Sequence, residues 1–130
     1  MKIVKLNEVV YYAHAKKLYC TVEEKVQLQW LRSTFKRVID PNSDLGELGS
    51  ITKYLEIIKQ QCTVVVCSEY FDYVGRGVFE ELQFARKSGM PIFCLRKVDG
   101  DFILCRIKNG KIVDKNDWVN YAKLDIIQGE

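Results

Sequence analysis

Apolar residues along the chain alternate between two arrangements, short unbroken runs and longer stretches of helical period. Val9-Val10-Tyr11-Tyr12-Ala13 is β-branched and aromatic and reads as a first central strand. The segment "AHAKKLYC" reads as the loop after it. Thr21-Val22-Glu23-Glu24 is a capping box, in which the Thr hydroxyl takes the N3 amide and Glu24 reaches back to the Thr21 amide. The helix it opens carries Val26 and Trp30, with Leu28, Leu31 and Phe35 one strip over, and is expected to end near Lys36. Arg37 to Asp40 reads as a short second strand, stopped by Pro41 and the turn-forming Asn42-Ser43. Ser50 is placed to cap a second helix with Ile51, Tyr54, Leu55 and Ile58 in one stripe.

Thr63 to Cys67 is continuously apolar, the pattern of a strand covered on both faces. A third helix is expected from about Val78 to Lys87, closed by Gly89 at C′ with Pro91 beyond. Ile92 to Leu95 forms a fourth buried strand. After it, Phe102 to Ile107 and Lys111 to Val113 read as a hairpin about Asn109-Gly110, and Trp118 to Leu124 as a short terminal helix. Strands alternating with helices imply an α/β three-layer sandwich. The sheet is expected to be mostly parallel and flavodoxin- or Rossmann-like, in order 2-1-3-4, with a C-terminal β-hairpin. A ligand is then expected beyond the carboxyl ends of strands one and three, which are "YYAHAKK" and "SEYFDYVGRG".

Composition narrows the class of protein. The 130 residues suit a single domain, and 48% apolar with 28% charged residues is ordinary for a globular protein. No apolar run is long enough to span a membrane, and the N-terminus lacks the features of a secretory signal. Five cysteines without C-x-x-C spacing point to a reducing, cytoplasmic compartment and away from a zinc site. No metal or cofactor is expected. A net charge of +3, with bases interleaved among acids, argues against nucleic acid as the partner.

Candidate chemistry collects at the strand ends. Gly75-Arg76-Gly77 ahead of a helix offers amides, a helix dipole and a guanidinium to an anion, with Lys16 and Lys17 able to reach it from the strand-one loop. The same residues also describe a solvated turn. Glu80 and Glu81 point about 100° apart on a helix, so only one can face inward. Glu81 shares the apolar side with Val78 and Ala85; Glu80 lies nearer the rim as a helix-start charge. A carboxylate at the edge of an apolar face is suited to attack a carbon or stabilise an oxocarbenium centre. His14 could serve as acid, base or phosphate donor, or simply as a loop residue, since no carboxylate partner is obvious. Of Tyr11 and Tyr12, one should pack in the core. Asp40, Asn42, Ser68 and Asp72 occupy strand ends, where function concentrates, although each also suits a turn.

Two stretches carry a family resemblance. "VVYYAHA" resembles the opening strand of nucleoside 2-deoxyribosyltransferases and the related 2′-deoxynucleoside 5′-monophosphate N-glycosidases. "VVVCSEYFDYVGRGVFEELQFARKSGMPIFCL" resembles their second half, so that the similarity spans roughly residues 9 to 96. The resemblance implies that Glu81 is the nucleophilic glutamate acting at C1′ and that Tyr11 orients it. It also implies that Asp72 contacts sugar or base, and that Gly75, Arg76, Gly77, Lys16 and Lys17 grip a 5′-phosphate. The implied ligand is a nucleotide or nucleoside and the implied assembly a homodimer. Where the family has a small residue near position 14 and a glycine after Glu-Leu, this chain has His14 and Gln83. A relative that binds or senses a nucleotide without cleaving it fits the same pattern, and a nucleic-acid or protein interaction domain using the basic rim is the weaker alternative.

Overall fold

The structure, a computed structural model, describes residues 6–68, 73–112 and 121–127. The chain begins with β1 (Leu6–Ala13), followed through a single 3-10 turn (Lys16–Leu18) by α1 (Val22–Thr34). Helix α1 passes without a loop into β2 (Phe35–Ile39), two residues earlier than the sequence pattern suggests. Phe35 therefore enters the core from the strand. A wide turn at Pro41–Leu45 leads to α2 (Ile51–Gln61), β3 (Val64–Ser68), the short β4 (Tyr73–Gly75) and α3 (Arg76–Lys87). The chain then adds β5 (Ile92–Val98), β6 (Asp101–Ile112) and β7 (Tyr121–Ile127).

The seven strands form one sheet in the order β2-β1-β3-β5-β6-β7-β4. From β2 to β5 all pairings are parallel, with Tyr11 opposite both Ile39 and Val65 in register. This half has the order expected for the first four strands. Side chains of β1 alternate between its two faces. Tyr11 and Ala13 join Val65, Cys67, Ile58, Val78 and Leu82 under α2 and α3, whereas Val10 and Tyr12 join Leu28, Leu31 and Val66 under α1. The molecule is thus α/β with helices on both faces of the sheet. All five residues of β3 are buried, as its lack of alternation implies.

The C-terminal third differs from its expected form. The hairpin turns at Asp99-Gly100, not at Asn109-Gly110; both turn residues have positive φ, 51° and 86°, and Val98 pairs with Asp101 across them. Strand β6 continues through Asn109 and Gly110, which pair with Asp125 and Leu124 of β7 just after an irregularity in register. Instead of a terminal helix, Tyr121–Ile127 is a strand placed between β6 and β4. Trp118 and Val113, also part of those expectations, lie outside the described residues.

Helix details also depart from pattern. Val26 is half-exposed and Trp30 packs only at the core edge, because α1 buries the Leu28–Leu31 strip. Ser50 occupies the N-cap position of α2 without a side-chain capping bond. Helix α3 closes as expected: Gly89 at φ 80° lets the Met90 amide reach the Ala85 carbonyl and the Gly89 amide reach that of Arg86, a Schellman motif. Among the described residues no helix is long and apolar enough to cross a membrane.

Candidate functional site

A cavity of about 280 Å³ opens beyond the carboxyl end of β1, beside the point where the chain's crossovers change face of the sheet. Each wall comes from a different element. Tyr11 and His14 end β1, Lys16 and Tyr19 come from the following turn, and Pro41 follows β2. Ile51 and Tyr54 come from the first turn of α2, and Gly77, Val78 and Glu81 from the start of α3. The apolar stripe of α2 is therefore divided: Ile58 and Leu55 enter the core while Ile51 and Tyr54 face the cavity.

Glu81 is 7% exposed and accepts a 2.5 Å hydrogen bond at Oε2 from the Tyr11 hydroxyl, its one donor among the described residues. Burial pushes the Glu81 carboxyl up to about 7, against the bond from Tyr11, which favours the ionised form, and with a smaller upward push from Glu80. Burial and the adjoining carboxylate push the Tyr11 phenol upward, so it stays a donor. Burial likewise raises Tyr19 to about 12. Because α3 begins at Arg76, the two glutamates lie in its second turn and not at its start. Glu80 sits at the rim and faces Arg76 at 3.8 Å, an i,i+4 pair on the exposed side of the helix.

The anion cradle is assembled only in part. Gly77 and Lys16 reach the cavity wall, although Lys16 also contacts Glu47 at 3.3 Å. Gly75, Arg76 and Lys17 are not part of that wall, and the Arg76 side chain is directed to Glu80. Ser68 is buried at the end of β3, and the nearby Tyr12 phenol donates to Gln27 Oε1 of α1. Asp72 lies outside the described residues.

His14 has the partner that the sequence did not make obvious. Its Nδ1 lies 2.9 Å from the Tyr12 carbonyl and its Nε2 lies 2.7 Å from Glu24 Oε2, with Asp40 Oδ1 at 3.7 Å. The ring stacks on Tyr12 with centroids 3.8 Å apart. With both nitrogens engaged, His14 lines the cavity without offering it a free acid or base. The capping box is also shifted. Thr21 Oγ1 accepts from the Glu24 amide as expected, but Glu24 Oε1 accepts from the Cys20 amide at 2.8 Å and not from Thr21. Burial opposes ionisation of Glu24, yet the bonds from His14, the Cys20 amide and Asn42 outweigh it and hold the carboxyl low.

Asp40 is 1% exposed and closes the turn after β2, where Oδ1 accepts from the Asn42 amide and Oδ2 from the Ser43 hydroxyl. It is thus a turn former that also faces His14. Comparison with protein-family models, curated proteins and solved structures returned no match. The cavity itself therefore carries the candidate chemistry: one buried carboxylate, held by a phenol, in a wall shared with two further tyrosines and one lysine.

Proposed function

We propose that the protein cleaves or transfers the N-glycosidic bond of a nucleotide or nucleoside, with Glu81 as the reacting carboxylate. The observation that carries this reading is the Tyr11–Glu81 hydrogen bond at the cavity wall. Tyr11 fixes one carboxylate oxygen and leaves the other to meet a ligand. Tyr19 and Tyr54 supply aromatic surface against which a base can lie, and Lys16 supplies a cation. In the reaction the Glu81 carboxylate bonds to C1′ of the sugar as the C1′–N bond breaks, and the base leaves with the bonding pair and takes a proton. Water, or the nitrogen of a second base, then displaces Glu81 from C1′ and regenerates the carboxylate. Glu81 must be ionised for the first step.

Tyr11 orients the carboxylate and, by donating to it, favours the charged form. The reading takes a reducing, cytoplasmic setting and a dimer as its context. A second reading is a nucleotide-binding module without turnover. It is favoured by the incomplete cradle, since Arg76 is directed to Glu80 and only Lys16 and Gly77 line the cavity. The two are separated by incubating the wild type and Glu81→Gln with a panel of nucleosides, deoxynucleosides and their 5′-monophosphates. Free base is followed by chromatography and binding by calorimetry. Release by the wild type and a loss of at least about 100-fold in Glu81→Gln is the expected result. Binding without release by the wild type leaves the module reading.

A further inference from the structure

His14, Glu24 and Asp40 form a buried group that the reaction above does not use. Their ligand-type atoms all lie within 4.8 Å of one another, and all three residues are buried. They come from three elements: the end of β1, the first turn of α1 and the end of β2.

The histidine is oriented in a specific way. A carbonyl oxygen only accepts, so Nδ1 must donate its proton to Tyr12, and Nε2 is the atom aimed at both carboxylates. A ring nitrogen fixed by a backbone carbonyl on its far side is the arrangement that holds a metal-ligating imidazole in its tautomer. The separations require only a small adjustment. Ligand atoms around a tetrahedral ion with bonds of about 2.0–2.2 Å stand roughly 3.3–3.6 Å apart. Nε2 lies 3.7 Å from Asp40, close to that spacing, and 2.7 Å from Glu24, a direct hydrogen bond that an entering ion would open and replace.

Charge points the same way. Two ionised carboxylates and one imidazole are net negative whether or not the ring carries a second proton, and buried net charge is costly. A divalent cation on the three ligands, with a neutral ring, brings the group to zero. A fourth donor is at hand: the Asn42 side-chain amide lies 3.3 Å from both Glu24 oxygens, and rotating it by half a turn presents its carbonyl.

We propose that His14 Nε2, Glu24 and Asp40 ligate a divalent cation of the zinc class, with the Asn42 carbonyl completing a tetrahedral N/O site. The donor set of one imidazole, two carboxylates and an amide oxygen suits zinc, cobalt or manganese. The ion ties the ends of β1 and β2 to the N-terminus of α1, and so fixes the wall from which His14 and Tyr19 face the cavity. The expectation of no metal rested on cysteine spacing, which says nothing about such a site. The cation site is independent of the glycosidic reading and needs no nucleotide for its test.

The protein is treated with chelator and dialysed, then titrated with Zn²⁺ and Co²⁺ by calorimetry and visible spectroscopy. One ion per chain is expected, with a Co²⁺ spectrum of nitrogen–oxygen ligation, no thiolate charge-transfer band, and a raised melting temperature. Glu24→Gln, Asp40→Asn and His14→Gln each weaken binding by roughly 10–100-fold or more, and Glu81→Gln leaves it unchanged. Absence of one-to-one binding, a thiolate band implicating Cys20, or affinity untouched by all three substitutions overturns the site. Should the variants fail to fold, the wild-type stoichiometry and Co²⁺ spectrum decide it.

Discussion

Glu81 holds its proton more tightly in the folded chain than in the unfolded one, and the sign of the consequence follows from that. Its ordinary value is 4.5 and burial raises it to about 7. The neutral form's contribution to stability is full below the unfolded value and is lost as pH rises through the folded one. Across that window the wild type should lose stability relative to Glu81→Gln, by on the order of 3 kcal/mol in total. Urea denaturation of both proteins between pH 4 and 8 measures this, and a constant difference would contradict the buried, proton-holding carboxylate. Tyr11 faces the group directly, Glu80 adds a smaller charge from the neighbouring helix position, and His14, Lys16, Tyr19 and Tyr54 share its cavity. Under the proposed function the same titration acts in the opposite sense: base release should rise with pH through about 7 as Glu81 ionises. Tyr11→Phe removes the bond that favours the charged form, so the midpoint of that rise should move upward. An unchanged midpoint would mean that Tyr11 does not act on Glu81.

At the scale of elements, α3 and its cap contain two glycines with opposite roles. Gly89 holds φ 80° at the C′ position, and open space lies where a Cβ would stand, so Gly89→Ala meets only backbone strain, about 1–2 kcal/mol. Gly77 is a helical residue with equally open surroundings, so Gly77→Ala should stabilise the fold by about 0.5–1 kcal/mol. Because Gly77 lines the cavity, the added methyl should also weaken ligand binding, so that stability and affinity move apart. Chemical denaturation of the two variants beside nucleotide titration checks both signs. The Gly89 cap was legible because its Schellman bonds are local. The hairpin was not. Asp99-Gly100 and Asn109-Gly110 carry the same turn chemistry, and only long-range pairing of β6 with β5 and β7 selects the first. Likewise, the terminal segment expected as a short helix is a strand over Tyr121–Ile127, because β4 and β6 offer it two open edges. The inward position of Glu81 was readable from helix period, but its pairing with Tyr11 came only from the family resemblance, because strand period did not choose between Tyr11 and Tyr12. The His14–Glu24 contact was not, since it depends on the turn that folds ten residues back on themselves; the Thr-x-x-Glu signal marked Glu24 only as a cap.

The whole molecule joins two halves of different construction. Parallel strands β2, β1, β3 and β5 are covered by helices on both faces, whereas β6, β7 and β4 extend the sheet through antiparallel pairings. Parallel pairing requires crossover helices and distant contacts, while β5–β6 closes on a two-residue turn. The cysteines sample this division. No disulfide joins the five; Cys20 is exposed, and Cys62, Cys67, Cys94 and Cys105 are buried. Cys62 and Cys67 lie under α2 and α3 in the parallel half, and Cys94 faces Cys105 across the seam where the antiparallel half begins. In the native protein a thiol reagent should therefore modify Cys20 alone, one equivalent per chain. Burial, which also pushes the Cys62 thiol up to about 12, keeps the others from reacting. If the sheet opens as one cooperative unit, the four buried thiols should become reactive together, with one dependence on denaturant. Mass-spectrometric mapping of labelled peptides at increasing urea tests this. Labelling of Cys105 ahead of Cys62 and Cys67 would show that the antiparallel extension opens on its own while the half that carries Tyr11 and Glu81 stays closed.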